Sequence, residues 1–264
     1  MAARTLENWI DALQARGRYT FRRSDALAES GLSAEAVKKA LVRLAARDRI
    51  VRLKEYFFAI VPLEHRSAGA PPPSWFIDDL MRAMELPYYV ALLSAAALHG
   101  ASHHQPQEFQ VMTDRSVRAI SVGRSRIHFF VSKHLDCTPA QNTKTPTGSM
   151  RVSTPEATVL DLVRFAKAAG HLDHAATVVA ELLPTIDANR LLKAVRARAD
   201  LPTAQRLGYL LDQLRARKFA APLREWLGRQ DARPVPLRTG RPGRDAREDG
   251  RWQVLISRPL ELES

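Results

Sequence analysis

Residues 33–60 read SAEAVKKALVRLAARDRIVRLKEYFFAI, and their periodicity changes once, from that of a helix to that of strands. Val37, Ala40, Leu41 and Leu44 recur at the spacing of one buried helix face, and Ser33 stands where an N-cap is favoured. Beyond Arg49 come two strand-like runs, Ile50–Leu53 and Tyr56–Ile60, joined across Lys54 and Glu55. Upstream, Thr5–Leu13 carries apolar residues at i, i+3, i+4 and i+7, the pattern of a first amphipathic helix. A short second helix is expected between Ser24, as its N-cap, and Gly31, just past its end. Three helices and a hairpin in this order predict a winged helix-turn-helix over residues 1–62.

The charge is concentrated in the same stretch. The 264-residue chain carries a formal net charge of +12, and Lys38, Lys39, Arg43, Arg47, Arg49, Arg52 and Lys54 face a single acid, Asp48. That local excess is half of the total. A solvated helix face ordinarily mixes both signs, so a surface for a polyanion is expected, and in this context the polyanion is double-stranded DNA. In helix-turn-helix modules the first turns of the second motif helix lie nearest the base edges. Ser33, Glu35, Lys38 and Lys39 are therefore expected near bases or their flanking phosphates. Arg43, Arg52 and Lys54 are expected on the backbone, and Arg22 and Arg23 add phosphate contacts beside the second helix. Glu35 is open to two roles, accepting from a cytosine amine or countering the helix dipole. Trp9, Tyr19, Phe21, Phe57 and Phe58 are spaced as core residues rather than as stacking platforms.

Composition narrows the class. Hydrophobic residues make up 45% and charged residues 26%, which suits a soluble globular protein. No apolar run reaches a membrane-spanning length, and Glu7, Asn8 and Asp11 interrupt the only candidate leader, so a cytoplasmic protein without a membrane role is expected. Cys137 is the sole cysteine, which excludes an internal disulfide framework.

His65–Ser74, with Pro71, Pro72 and Pro73, breaks all periodicity and predicts an extended linker over residues 63–73. The remainder, 74–264, predicts a larger mixed domain. Helices are expected at 73–84 and 94–99, then strands at 109–112, 119–122, 126–131 and 150–152. Ser153-Thr154-Pro155-Glu156 is a helix start, with a hydroxyl cap, proline in the first turn and an acid after it. That helix is expected to stop near Gly170, followed by others at 171–183, 187–199, 203–217 and 221–227. Residues 233–250 read as a loop and 252–256 as a returning strand. Strands first and helices afterwards predict an α+β fold: an N-terminal winged helix-turn-helix followed by a larger mixed α+β C-terminal domain.

No catalytic constellation stands out, so no enzyme, cofactor or metal is expected. His103-His104 and the pair His171 and His174 lack the cysteine or acid partners of a zinc site. Gly123-Arg124-Ser125-Arg126 lacks the second glycine and the Lys-Ser/Thr pair of a phosphate-binding loop. Asp114 reads as a turn residue, and Ser94 and His99 are too poorly spaced to act as nucleophile and base. Arg115, Arg118, Arg124, Arg126 and Lys133 leave two possibilities open, a solvated sheet face or a second polyanion surface.

Four stretches resemble the AbiEi-type antitoxins of abortive-infection (type IV) toxin–antitoxin systems. They are 88–100 (YYVALLSAAALHG), 152–162 (VSTPEATVLDL), 204–211 (AQRLGYLL), and 235–237 (VPL) with 251–256 (RWQVLI). Ser257 departs from the pattern, which has Asn there. The resemblance implies a transcriptional repressor that autoregulates its operon through operator DNA, on symmetric half-sites of an inverted repeat. It also implies antagonism of a nucleotidyltransferase-like toxin without a stable complex. From other classes, an RNA-binding module and a DNA-binding domain fused to a nucleic-acid-processing enzyme stay open, as does the oligomeric state.

Overall fold

Thr5 opens the first helix, α1 (Leu6–Ala15), by accepting from the Asn8 amide at 3.2 Å, and the helix buries Leu6, Ile10 and Leu13. The structure, a computed structural model, describes residues 5–101, 107–240, 243 and 245–261. A short strand, β1 (Thr20–Arg22), leads into α2 (Arg23–Ser30). Here the expected cap is corrected: Arg22 holds the cap position, its amide donates to the Asp25 carboxylate at 3.0 Å, and Ser24 lies inside the first turn. An acid three residues into a helix competes well for that amide, which moves the start back. Gly31 ends α2 in the left-handed conformation.

Ser33 caps α3 (Ala34–Ala46), which buries Val37, Ala40, Leu41 and Leu44 as its periodicity requires. β2 (Ile50–Lys54) and β3 (Phe57–Ile60) form the expected antiparallel hairpin. Its turn is Glu55-Tyr56, one residue later than expected, because an irregularity between Arg52 and Lys54 takes up a residue. β3 is the middle strand, with β1 on its other side. Phe21 stacks on Phe58 at 5.4 Å and meets Trp9 edge-on at 5.2 Å, closing a core that includes Ile10, Val37, Leu44 and Ile60.

Residues 63–73 are not extended. Leu63–Ala68 and Pro73–Trp75 coil into 3-10 turns, and Ala70 and Pro71 are buried. Proline's fixed φ suits the first position of a helical turn as well as an extended spacer, so the proline run alone did not decide between them. Gly69 turns back at φ 74° and packs on Gly123, while the Arg124 amide donates to the Ala68 carbonyl at 2.8 Å. A Cβ on Gly123 would stand 2.2 Å from that carbonyl oxygen. α4 (Ile77–Ala83) then meets the N-terminal module. The Thr20 hydroxyl donates to Asp79 at 2.6 Å, Arg22 donates to the Ala83 carbonyl at 3.4 Å, and Tyr19 meets Trp75 edge-on at 5.1 Å.

β4 (Tyr88–Val90), α5 (Leu92–Leu98), β5 (Phe109–Thr113), β6 (Ile120–Val122), β7 (Ser125–Val131), β8 (Ala140–Thr145) and β9 (Gly148–Ser153) follow. The six strands form one sheet in the order β6-β7-β5-β4-β9-β8. β5 runs parallel to β7, β4 parallel to β9, and β6 antiparallel to β7. By contact density the chain forms two units, one of 1–89, 107–132 and 142–151, the other of 90–106, 133–141 and 152–264. The N-terminal module therefore shares a unit with most of the sheet.

Thr154 caps α6 (Pro155–Arg164), with Pro155 as its first residue; residues 156–163 are all buried. A 3-10 turn carries the chain to Gly170. α7 (His171–Leu182), α8 (Ala188–Arg198), α9 (Leu201–Gln213) and α10 (Arg217–Leu227) surround α6 or one another. The segment expected as a loop contributes β10 (Val235–Pro236) and β11 (Arg247–Asp249), which flank β12 (Val254–Ile256). The fold is thus mixed α+β. Among the described residues no helix is long and apolar enough to cross a membrane.

Candidate nucleic-acid interface

Six of the seven basic residues between Lys38 and Lys54 stand in solvent. Arg49 does not: its side chain is 12% exposed and donates to Asp11 and Gln14 of α1, so it ties α3 and the hairpin to the first helix. Ser33 accepts from the Ala36 amide at 3.3 Å, which leaves its own hydroxyl hydrogen available to an acceptor. Glu35 lies 3.7 Å from Lys39 one turn on, an exposed pair that cancels little of the charge in water. Lys38 and Arg43 point away from the buried stripe.

Between α3 and the hairpin turn runs a groove of about 560 Å³, lined by Lys38 and Val42 of α3, by Arg52, Glu55 and Tyr56 of the hairpin, and by Arg23. The Arg23 guanidinium lies 5.8 Å from the centre of the Tyr56 ring, and its buried Nε has no acceptor among the described residues. Lys54 lines an adjoining groove with Arg22, Arg23 and Tyr56. The structure therefore brings Arg23, Lys38 and Arg52 together, with Lys54 close by, whereas Arg22 is drawn toward Ala83.

Two residues of this groove were missed. Val42 is 67% exposed and Tyr56 56% exposed, both apolar surface in a basic setting. Val42 follows Lys38 by four residues, so its place on the basic face could have been read from spacing. Tyr56 carried no such signal, because its exposure depends on the turn register. Phe21, Phe57 and Phe58 are buried as expected, and Trp9 and Tyr19 are half-buried.

The second basic set is more dispersed. Arg115 and Arg118 fall in the loop after β5, Arg124 in the turn between β6 and β7, and only Arg126 on a strand. Arg115 pairs with Asp114 at 3.1 Å, and that hydrogen bond holds the Asp114 carboxyl below the usual range. Arg126 and His128 both meet Glu108, at 3.2 and 2.9 Å. Arg118, Arg124 and Lys133 are exposed, Lys133 counting with the second unit.

The other candidates have structural occupations. His99 Nε2 sits 2.7 Å from the Ser153 carbonyl, and His174 Nδ1 lies 2.6 Å from the Ala169 carbonyl. His103 and His104 lie outside the described residues. Among the described residues no three His, Cys, Asp or Glu side chains gather as metal ligands would.

The four quoted stretches also fit together. Val90 pairs with Val152, and the Ser153 hydroxyl lies 2.7 Å from that of Thr158 and donates to the Val90 carbonyl at 3.3 Å. Gln205 and Arg206 of α9 donate to the carbonyls of Arg233, Gln253 and Pro236 at 2.9–3.1 Å, clasping the small C-terminal sheet. Trp252 is fully buried across Gly208 and donates its indole N–H to Asp212 at 2.6 Å. Ser257, where the pattern has Asn, accepts from the Gly243 amide at 2.9 Å.

A six-stranded sheet followed by a helical array defines a mixed α+β protein, and the comparisons make this more specific. Residues 89–213 match the model of the AbiEi antitoxin C-terminal domain, so the chain carries an antitoxin domain of the AbiEi type. An antitoxin domain implies a toxin as its counterpart. The crystal structure of the RV2827C protein from Mycobacterium tuberculosis is similar in fold, with a TM-score of 0.66 and 15% identity over 95% of this chain and 90% of that one. Among curated proteins, none matches by sequence.

Proposed function

We propose that residues 1–62 form a winged helix-turn-helix that places α3 in the major groove of duplex DNA and represses the chain's own operon. In the same reading the AbiEi-type domain counters a nucleotidyltransferase-like toxin, with no stable complex required. One observation supports this most: Arg23, Lys38 of α3 and Arg52 of the hairpin line one open groove against a single carboxylate, Glu55, and Lys39, Arg43 and Lys54 are exposed on the same elements, while Asp48 lies past the end of α3. Lys38 and Lys39 are in the turns that face base edges in such modules, and Arg52 and Lys54 are where a wing meets the backbone.

The test is binding of the full chain to DNA from upstream of its own gene, followed by fluorescence anisotropy against a scrambled duplex over a salt series. The chain is expected to prefer the upstream DNA, through an inverted repeat that two modules occupy together. Arg52→Ala should weaken binding to both duplexes alike and reduce the salt slope by about 1. Lys38→Ala with Lys39→Ala should cost about 1–3 kcal/mol on the upstream duplex and less on the scrambled one. Equal affinity for both duplexes, or tighter binding to structured RNA, would refute the operator reading. The antitoxin half is tested by co-expression with the nucleotidyltransferase-like protein of the same operon, where growth should recover only when residues 89–213 are intact.

A further inference from the structure

A second cavity lies entirely within the second unit, remote in sequence from the groove at α3. It measures about 610 Å³, within the range of small-molecule sites. Lys167, Arg206, Arg238 and Arg258 line it against one carboxylate, Asp173. Asp173 is fully engaged. It accepts two hydrogen bonds from Arg238 at 2.7 Å and one from the Glu261 amide at 3.0 Å, the exposed Arg258 guanidinium lies 3.6 Å from it, and the Arg238 bonds hold its carboxyl at about 2. It therefore stays ionised and cancels one cation, so three positive charges remain uncompensated by the lining.

Arg206 is the most telling of these. It is half-buried, and burial, with repulsion from Arg164, lowers its pKa against a partial opposing pull from Asp200. Its Nε donates to the Pro236 carbonyl at 2.9 Å, and no carboxylate among the described residues lies within ion-pair distance of it. The carboxylate that acts on it, Asp200, is already paired with Arg164, so a bound anion would add the direct partner that this half-buried guanidinium lacks. Apolar side chains, Val163, Leu172 and Leu237, form the rest of the wall.

We propose that this cavity binds a small phosphorylated ligand of nucleotide size, its phosphates held by Arg206, Lys167 and Arg258 and its organic part lying on the apolar wall. Guanidinium groups suit phosphate because they offer two parallel N–H donors, and an ionised acceptor strengthens each bond. Both family-like stretches at this end contribute: Arg206 belongs to α9, and the strand it clasps delivers Arg238. The site is independent of the DNA-binding reading.

Isothermal titration of the full chain with ADP, inorganic phosphate and adenosine tests the proposal. ADP should bind with millimolar or tighter affinity, phosphate more weakly and adenosine not measurably, and added salt should weaken the ADP signal. Arg206→Ala should reduce ADP affinity about 10-fold or more, and Arg206→Lys less. Arg206 also braces the C-terminal sheet, so Lys167→Ala and Arg258→Ala, both at exposed positions, provide the check: each should weaken ADP with an unchanged melting temperature. Lys38→Ala with Lys39→Ala should leave ADP affinity as it was. The absence of ADP binding, adenosine binding as tight as ADP, or ADP affinity that survives all three cavity variants would overturn it.

Discussion

Gly208 shows how much one missing side chain can matter. A Cβ there would stand 2.1 Å from the Trp252 ring, and the indole cannot retreat because it is fully buried and tied to Asp212. Gly208→Ala is expected to destabilise the second unit by about 1–3 kcal/mol despite the better helix propensity of alanine, as read from urea unfolding. The buried pair of Asp161 and Arg198, 2.8 Å apart and 0% and 3% exposed, is equally exacting. Removing one partner strands a charge in the core, so Arg198→Ala should cost about 3–5 kcal/mol, whereas a double apolar replacement of similar volume should cost much less. At the proposed interface Val42 offers the opposite case. It is exposed and packs little, so Val42→Ser should leave the melting temperature unchanged while weakening operator binding, if its methyls meet a thymine methyl in the groove. Unchanged operator affinity would remove Val42 from the reading surface.

Among the elements, the 63–73 segment and the β6–β7 turn cross at a close-packed joint. Gly123→Ala drives a Cβ into the Ala68 carbonyl, and calorimetry should show a lower melting temperature, by several degrees. The long elements were legible in the sequence: α1, α3 and α7 each carry an apolar stripe, whose period burial imposes directly, and α6, buried all round over 156–163, was legible from its Thr154 cap and Pro155. β1, β4 and β10 were not, since two or three residues show no alternation. β8 was hidden for another reason: its sequence AQNTKT has no large apolar residue, so it is a strand through its neighbour's hydrogen bonds and not through a buried face. The candidate interface was legible as charge because seven cations in one stretch need no fold to be noticed. Their sorting was not legible. That Arg49 is clamped by Asp11, that Arg126 is paired with Glu108, and that Tyr56 opens the groove all depend on partners distant in sequence.

At the scale of the whole molecule, stability should depend on acid in a defined window. Asp173 is held at about 2, while burial opposes ionisation of Glu156 and Asp200 but their hydrogen bonds and arginine partners prevail and keep both low. A carboxyl lower in the folded than in the unfolded chain stabilises above its unfolded pKa and loses that contribution as protons bind the folded form. Stability should therefore be flat near neutrality and fall between about pH 4 and pH 2, with Asp173 accounting for up to ~2 kcal/mol of the fall. Melting temperatures across that range, with Asp173→Asn flattening part of the slope, check it. The contacts of Tyr19, Thr20 and Arg22 with Trp75, Asp79 and Ala83 bear on descent as well as on stability. A head keyed to its body by an aromatic edge, a hydroxyl and a guanidinium is not a cassette that recombination can exchange at residue 62. If α3 reads DNA as proposed, its recognition should be alterable by single substitutions on α3 and the hairpin turn, whereas swapping the head at residue 62 should destabilise the chain through these contacts.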